Sequence, residues 1–254
     1  MRNNCVCFLS IVSMLLMVSC HFRDKDEICV AEKELVTVSL KANYFSEILV
    51  DAPYEVDFVQ GNSASIRIEG KKDEVSNVIT VCKGERLIIK NKLFANAIVS
   101  DRKSDVKIYV TSPDLTEVTV KGLGNFRVMD KIDTDTLRVN LLGAGDVKFD
   151  NVVCDVLYTV LKGSGDISMN TVEGVSASVC LIGAGDIDLN LLKMRYTDVK
   201  LIGVGDIEIN FDSCKFAKCA LVGVGDIKLK GNLNAFEKEK KGTGTINVDE
   251  LKVE

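Results

Sequence analysis

From about residue 118 onward, apolar and polar residues alternate in a phrase that recurs every 20 positions or so. The stretch 141–149, LLGAGDVKF, returns as LKGSGDISM, LIGAGDIDL, LIGVGDIEI and LVGVGDIKL, between a weaker first copy, VKGLGNFRV, and a last copy, KKGTGTINV. The first glycines of the seven copies are 21, 20, 20, 20, 20 and 19 residues apart. A nearly constant period of this length is typical of proteins built from stacked repeats.

Each copy has two apolar positions on either side of its glycine pair. They lie two and four residues before the first glycine and four and six residues after it, and the positions between them are mostly polar. Alternation with a period of two predicts two half-buried strands per copy. The glycine pair between them predicts a bend, because glycine takes a positive φ without steric cost.

Two folds satisfy this pattern. In a solenoid each copy is one coil and equivalent strands stack in parallel, whereas in a meander each copy is a hairpin that turns at the glycines. Stacked coils must have equal length, so the constant period favours the solenoid. The sequence therefore predicts an all-β, parallel β-helix-like solenoid with coils of about 20 residues.

The regular repeats occupy residues 116–249, and the chain before and after them is less regular. Residues 35–115 contain strand-like segments between turn signals but no copy of the phrase, which predicts irregular N-terminal strands. In the last copy Lys238 and Lys240 fall in the apolar columns. Since buried lysines are costly, this rung is predicted to be a charged C-terminal cap that faces water.

The first 34 residues resemble a targeting region. Residues 1–19 join Arg2 to a short apolar run, which is typical of a signal peptide and too short to span a bilayer. Val18-Ser19-Cys20 resembles a lipobox, so Cys20 is the predicted lipid-attachment residue; an ordinary secretory signal is the alternative. Residues 20–34 are charged and predict a solvated tether. We expect an outer-membrane lipoprotein of the cell envelope, facing the periplasm or the cell surface, with the membrane as a partner through its lipid anchor.

Composition and the available side chains argue against several kinds of chemistry. The net charge of −5 gives no basic surface for nucleic acid. The only histidine, His21, lies in the tether, which leaves no Ser-His-Asp or Cys-His arrangement. The nine cysteines show no metal-ligand spacing, so neither a metal nor a cofactor is predicted. Carboxylates such as Asp186 and Asp188 leave a polysaccharide-active β-helix enzyme as the alternative to a non-catalytic binding or structural module.

The glycines and aspartates of the bends form the first candidate site. Stacked coils would place the five aspartates in a ladder about 5 Å apart, where neighbouring carboxylates repel. We expect each carboxylate to accept backbone N–H groups of its own turn, with calcium binding as the alternative. The predicted turn-forming ladder consists of Gly143, Gly145, Asp146, Gly163, Gly165, Asp166, Gly183, Gly185, Asp186, Gly203, Gly205, Asp206, Gly223, Gly225 and Asp226.

The second candidate site is an apolar column just before the first glycine of each copy. It holds Leu142, Ile182, Ile202 and Val222, with Lys162 in the same column. This column should point outward, opposite to the buried leucines, and form a stripe that contacts a protein or glycan partner. Alternatively, the stripe packs beneath a loop or beneath the N-terminal segment.

At this level of detail the chain resembles a known family. The repeated Gly-x-Gly-Asp-Ile phrase, together with FSEILVDAPYEVDFVQG and VKIYVTSPDLTEVTVKGLGN, is similar to the head GIN domain of adhesin-type lipoproteins from Bacteroidetes. The resemblance covers about residues 43–248. Alanine or valine often stands between the glycines here, at Ala144, Ala184, Val204 and Val224, where the family often has serine. The resemblance implies a β-helix-like fold, a place in the cell envelope and an adhesin-like role.

Overall fold

The computed structural model describes residues 34–93 and 104–253. The predicted signal peptide, Cys20, and all of the predicted tether except its last residue lie outside the described residues. The described elements are β1 (Leu35–Lys41), β2 (Glu47–Asp51), β3 (Glu55–Gln60), β4 (Ser65–Lys71), α1 (Lys72–Val75), β5 (Val78–Lys83), β6 (Arg86–Asn91), β7 (Lys107–Ser112), β8 (Glu117–Lys121), β9 (Asn125–Leu141), β10 (Val147–Leu161), β11 (Ile167–Leu181), β12 (Ile187–Leu192), β13 (Tyr196–Leu201), β14 (Ile207–Leu221), β15 (Ile227–Lys240) and β16 (Ile246–Val253).

The repeats form a parallel β-solenoid, which confirms the fold prediction and excludes the meander. Strand β10 pairs in parallel with β9 on one side and with β11 on the other, and Leu161 lies opposite Leu141 and Leu181. The same parallel pairing continues through β12, β13, β14, β15 and β16. Within the described ranges the chain makes about seven turns, with coils of about 20 residues.

Coils of unequal length are matched by local irregularities in the ladders. The 21-residue first spacing coincides with a register shift between Phe149 and Asn151, where β9 carries an extra residue. The 19-residue last spacing coincides with a shift between Phe211 and Cys214. Bulges of this kind keep the glycine bends aligned from coil to coil.

The core is a continuous column of apolar side chains enclosed by the coils. The four predicted apolar columns are buried throughout the regular coils, including Val147, Phe149 and Leu161 in one coil. Cys219 continues one column as a small buried residue, as expected. In the last coil Lys238 and Lys240 are exposed, so this rung faces water as predicted.

The N-terminal strands extend the solenoid, but not in sequence order. Strand β2 pairs in parallel with β8 on one side and with β6 on the other. Strand β3 likewise lies between β9 and β7. The coil formed by β2 and β3 is therefore held between the first regular coil and a rung that comes later in the chain.

Antiparallel strands complete this end of the molecule. Strand β4 pairs antiparallel with β7, β1 with β4, and β5 with β6. The short helix α1 follows β4 and contributes Val75 to the core. In the part of the chain that the structure describes, no helix has the length and apolar character needed to cross a membrane.

Candidate functional site: the bends and the faces beside them

The bends are built from glycine because the main chains of adjacent coils nearly touch there. A Cβ atom added at Gly163 would lie 1.8 Å from the carbonyl oxygen of Gly143, and one at Gly185 would lie 1.8 Å from that of Gly165. Of the ladder glycines, none has a positive φ; among the repeat bends only Gly122 does, at +90°. The expectation that these glycines serve a left-handed conformation is therefore wrong. They are needed because a side chain has no room between the coils.

Close approach allows the bends to be hydrogen-bonded from coil to coil. The N–H of Ala184 donates to the carbonyl of Gly163 at 2.9 Å, and the N–H of Val204 donates to that of Gly183 at 3.0 Å. The residues just before the first glycine donate in the same way, as Ile182 does to Leu161 at 2.8 Å. The bends therefore continue the backbone ladder of the strands.

The aspartate side chains complete this ladder where the main chain turns away. The Oδ1 atom of Asp186 accepts the N–H of Asp206 in the next coil at 2.9 Å. Four equivalent bonds, at 2.6–3.1 Å, join a backbone N–H to the side-chain oxygen of the preceding coil. The N–H groups of Asp186, Asp226, Asp146 and Thr245 donate to Asp166, Asp206, Asn125 and Asp226, respectively. For Asp166, Asp186, Asp206 and Asp226 the prediction that each carboxylate accepts from its own turn is wrong, because the donor belongs to the following coil.

This arrangement explains how a column of carboxylates is tolerated. Each of the four aspartate acceptors takes a backbone N–H in a charge-assisted hydrogen bond, which offsets part of the repulsion between neighbours. Asn125 begins the series with a neutral acceptor that makes the same bond. Among the described residues no group of three or more Asp, Glu, His or Cys side chains is arranged to hold a metal ion.

The predicted apolar stripe faces solvent. Leu142, Ile182, Ile202 and Val222 are 37–40% exposed. Packing beneath a loop or beneath the N-terminal segment is therefore wrong for this column, although Lys162 interrupts it after the first member. The contiguous part spans three coils, from Ile182 to Val222.

Sequence reasoning missed a second apolar column beside the stripe. Val204 and Val224, which stand between the two glycines of their bends, are 63% and 62% exposed. The signal was present in the sequence, because both residues replace the serine or alanine found there in other copies. Together with the stripe they form an apolar ridge along three bends.

Aromatic residues on the face preceding the bends were also missed. The rings of Tyr196 and Phe216 stack with their centroids 5.6 Å apart and their planes inclined by 21°. Tyr158 lies on β10, which is separated from the strand of Tyr196 by β11. The guanidinium of Arg138 lies over the Tyr158 ring, 5.0 Å from its centroid. Tyr158 and Tyr196 are 41% and 45% exposed.

Carboxylates also meet on the opposite side of the bends. Asp188 lies directly across from Glu208 of the next coil, and Lys230 pairs with Glu208. Burial, followed by the charge of Glu208, raises the pKa of Asp188 above its ordinary value. Asp186, by contrast, is committed to the hydrogen-bond ladder of the bends.

The five described cysteines are free thiols. Burial raises the pKa of Cys219 to about 12 and that of Cys154 to about 11. Such thiols are poor nucleophiles at neutral pH, because the thiolate is the reactive form. Cys29 lies outside the described residues.

The fold and these surfaces define a β-solenoid whose distinctive features lie on its exterior. A family described as "Putative auto-transporter adhesin, head GIN domain" matches residues 44–213, and the chain belongs to this family. The family membership expected from the sequence is thus confirmed.

Solved structures share the fold. A "putative adhesin" from Bacteroides fragilis is 27% identical, with a TM-score of 0.77 over 85% of this chain and 97% of its own. A "putative adhesin" from Parabacteroides merdae and a "putative lipid binding protein" from Parabacteroides distasonis are each 18% identical with TM-scores of 0.64; both cover 85% of this chain, and 96% and 98% of their own. No curated protein matches the chain.

Proposed function

We propose that this protein is a non-catalytic binding module of the bacterial cell envelope that presents its apolar ridge to a protein partner. The exposed, aligned side chains of Ile182, Ile202 and Val222 are the observation that supports this proposal. Lysine occupies the same column at Lys162 and Lys241, so the fold itself does not require an apolar residue there. Family membership among adhesin-like proteins points in the same direction.

A protein surface suits this ridge better than a sugar does. The aliphatic side chains of Ile202, Val204 and Val224 offer no hydrogen-bonding groups to carbohydrate hydroxyls. Protein interfaces typically have an apolar centre and a polar rim, and the exposed aspartates of the bends supply such a rim on one side. A standard interface covers about 800 Å² on each partner, so the ridge would form its centre rather than its whole extent.

Photo-cross-linking tests the ridge directly. A photoreactive amino acid is placed at Ile202 or Val222 in intact cells, with the exposed Lys148 on another face as the control position. We expect a product of defined mass from the two ridge positions and none from position 148; a product of twice the chain's own mass would identify a second copy as the partner. The proposal fails if positions 202 and 222 yield no product, or if position 148 yields the same one.

We also propose that the protein is anchored to the outer membrane through a lipid on Cys20. The lipobox-like Val18-Ser19-Cys20 and the charged stretch after it support this proposal. Acyl chains add about 0.8 kcal/mol of membrane affinity per buried CH₂ group. Fractionation of cells expressing the unaltered chain or Cys20→Ala tests it: the first should require detergent for release and the second should not. Equal release of both without detergent would overturn the lipid anchor.

A polysaccharide-active enzyme is the alternative function. The observation that favours it is the Asp188–Glu208 pair, because neighbouring carboxylates with a raised pKa can supply a general acid. A reducing-end assay on a panel of polysaccharides, with Asp188→Asn as the matched variant, separates the two functions. Turnover that is lost in Asp188→Asn would replace the binding module with an enzyme.

A further inference from the structure

On the outward face of three adjacent coils, two small side chains stand between two exposed tyrosines. Ser176 and Ser178 on β11 are partly exposed and form the floor of this arrangement. Tyr158 lies across from Ser178 on the preceding coil, and Tyr196 lies across from Ser176 on the following coil. We call this arrangement the serine trough.

Each tyrosine ring is in contact on one face with a side chain from the coil that lies away from the serines. Phe216 stacks on Tyr196 from the coil beyond it, at 5.6 Å, and therefore covers the ring face that points away from the trough. Arg138 covers Tyr158 from the opposite side in the same way, at 5.0 Å. The uncovered face of each ring therefore lies on the side of its serine, on two coils about 9.6 Å apart, which is twice the strand spacing. The two tyrosines are offset by two residues along the strands, so these faces lie diagonally across the floor.

The chemistry of the walls and the floor matches a pyranose ring. The C–H face of a sugar packs against an aromatic ring, and its hydroxyl groups need donors and acceptors at its edge. The hydroxyls of Ser176 and Ser178 can act in both capacities. Asp198, which lies across from Ser178 on the next coil, adds a carboxylate acceptor.

The end of the trough nearest the bends carries two lysines. Along β11 the floor continues from Ser178 to Cys180, which lies across from Lys200. Burial raises the pKa of the Cys180 thiol, the charges of Lys200 and Lys162 act against that increase, and the charge of Asp198 adds to it. Both ammonium groups and this carboxylate therefore lie near this point. Two lysines beside an aromatic trough favour a ligand that carries a carboxylate at one end of a sugar ring.

We propose that the serine trough binds an acidic oligosaccharide, with its sugar rings against the open faces of Tyr158 and Tyr196 and a carboxylate beside Lys162 and Lys200. The proposal rests on the proposed function only in treating the chain as a non-catalytic binding module. The trough is separate from the apolar ridge, which offers aliphatic side chains and no hydroxyl groups.

Calorimetric titration of the purified protein with tetragalacturonate, and with its fully methyl-esterified form as the neutral counterpart, tests this site. We expect tetragalacturonate to bind and the ester to bind several-fold more weakly. Tyr196→Ala should weaken binding by about fivefold or more through loss of stacking, whereas Tyr196→Phe should bind like the unaltered chain. Lys200→Ala should weaken binding and reduce its dependence on salt. The exposed Tyr44 supplies a matched control, since Tyr44→Ala should change nothing.

A blocking variant guards against loss of fold. Ser178→Trp fills the trough without removing either tyrosine, so it should abolish binding while thermal melting stays close to that of the unaltered chain. The proposal is overturned if neither oligosaccharide binds at millimolar concentration, if Tyr158→Ala and Tyr196→Ala both bind normally, or if the neutral ester binds equally well. Ile202→Ser should retain oligosaccharide binding, so a failure here is distinguishable from a failure of the ridge.

Discussion

Replacing one bend glycine with alanine should strongly destabilise the protein, although the change adds a single methyl group. At Gly185 the added Cβ would lie 1.8 Å from the carbonyl oxygen of Gly165, whereas a C···O contact normally needs about 3.3 Å. The two bends would have to separate by about 1.5 Å. Main-chain atoms lie on both sides of the contact, so no side chain can rotate away to make room.

The size of the effect follows from the bonds at this bend. Separation would break the 2.9 Å bond from Ala184 to Gly163 and the 3.1 Å bond from Asp186 to the side chain of Asp166. Each is worth about 0.5–1.5 kcal/mol, and the overpacking itself costs about 1–3 kcal/mol. We therefore expect Gly185→Ala to lower the free energy of unfolding by about 2–6 kcal/mol. For a domain of this size that corresponds to roughly 5–20 °C in Tm.

Thermal and urea unfolding followed by circular dichroism would measure this loss. Ala184→Ser at the exposed neighbouring position is the matched control and should stay within about 0.5 kcal/mol of the unaltered chain. Asparagine discriminates between the two explanations for glycine, since it tolerates a positive φ. Gly185→Asn should be at least as harmful as alanine, whereas Gly84→Asn should be mild, because Gly84 has φ +60° and open space around it. A Tm for Gly185→Ala within 2 °C of the original would refute the steric argument.

Three further predictions concern single side chains. Asp186→Ala should cost about 1 kcal/mol in urea unfolding because the next coil's N–H loses its acceptor, and Asp186→Asn should be nearly neutral; equal losses would contradict the ladder. Asp188→Asn should stabilise the protein at pH 7 by a few tenths of a kcal/mol. Because the pKa of Asp188 is raised in the folded protein, its contribution to stability is full below the unfolded pKa of 3.8 and falls as the pH rises above that value. The stabilisation by Asp188→Asn should therefore vanish in melts below pH 3.8. Native protein at pH 8 should show labelling of the partly exposed Cys180 by a maleimide but not of Cys219, and rapid labelling of Cys219 would contradict its burial.

The regular half of the fold could be predicted because one physical constraint repeats. Alternation around each glycine pair identifies buried positions such as Val147 and Phe149 without knowledge of any partner strand. A constant period then requires that equivalent strands lie side by side. The exposure of Ile182 and Ile202 follows from the same alternation.

The local chemistry of the bends was harder to predict from the sequence. Glycine is compatible both with a positive φ and with a tight approach of two main chains, and only the position of Gly165 relative to Gly185 separates these explanations. Asp186 has suitable donors both in its own turn and in the next coil, so its partner depends on the stacking distance. The serine trough depends on the pairing of Tyr158 with Ser178 and of Ser176 with Tyr196 across three coils, which becomes apparent only when the register is known.

The order of the N-terminal strands could not have been deduced from the alternation pattern. Strands β2 and β3 lack the Gly-x-Gly phrase, and Ala52, Pro53 and Tyr54 form their bend instead. The carbonyls of Ala52 and Tyr54 nevertheless approach Gly124 as a repeat bend would. That β6 and β7 pair on the far side of this coil depends on contacts between segments about 40–50 residues apart in the chain.

This out-of-order coil has a mechanical consequence. Stacked repeats held by nearest-neighbour contacts unravel most easily from an end, one unit at a time. A pull on the chain at residue 34 would first peel β1 from β4 and would then meet β2, which is paired with β6 on one edge and β8 on the other. Extracting β2 requires both edges to yield together, so the end of the stack that is nearest the N-terminus in sequence is locked rather than free to unwind. The interleaved coil would therefore resist unfolding and keep the repeats intact under tension applied from the N-terminal side.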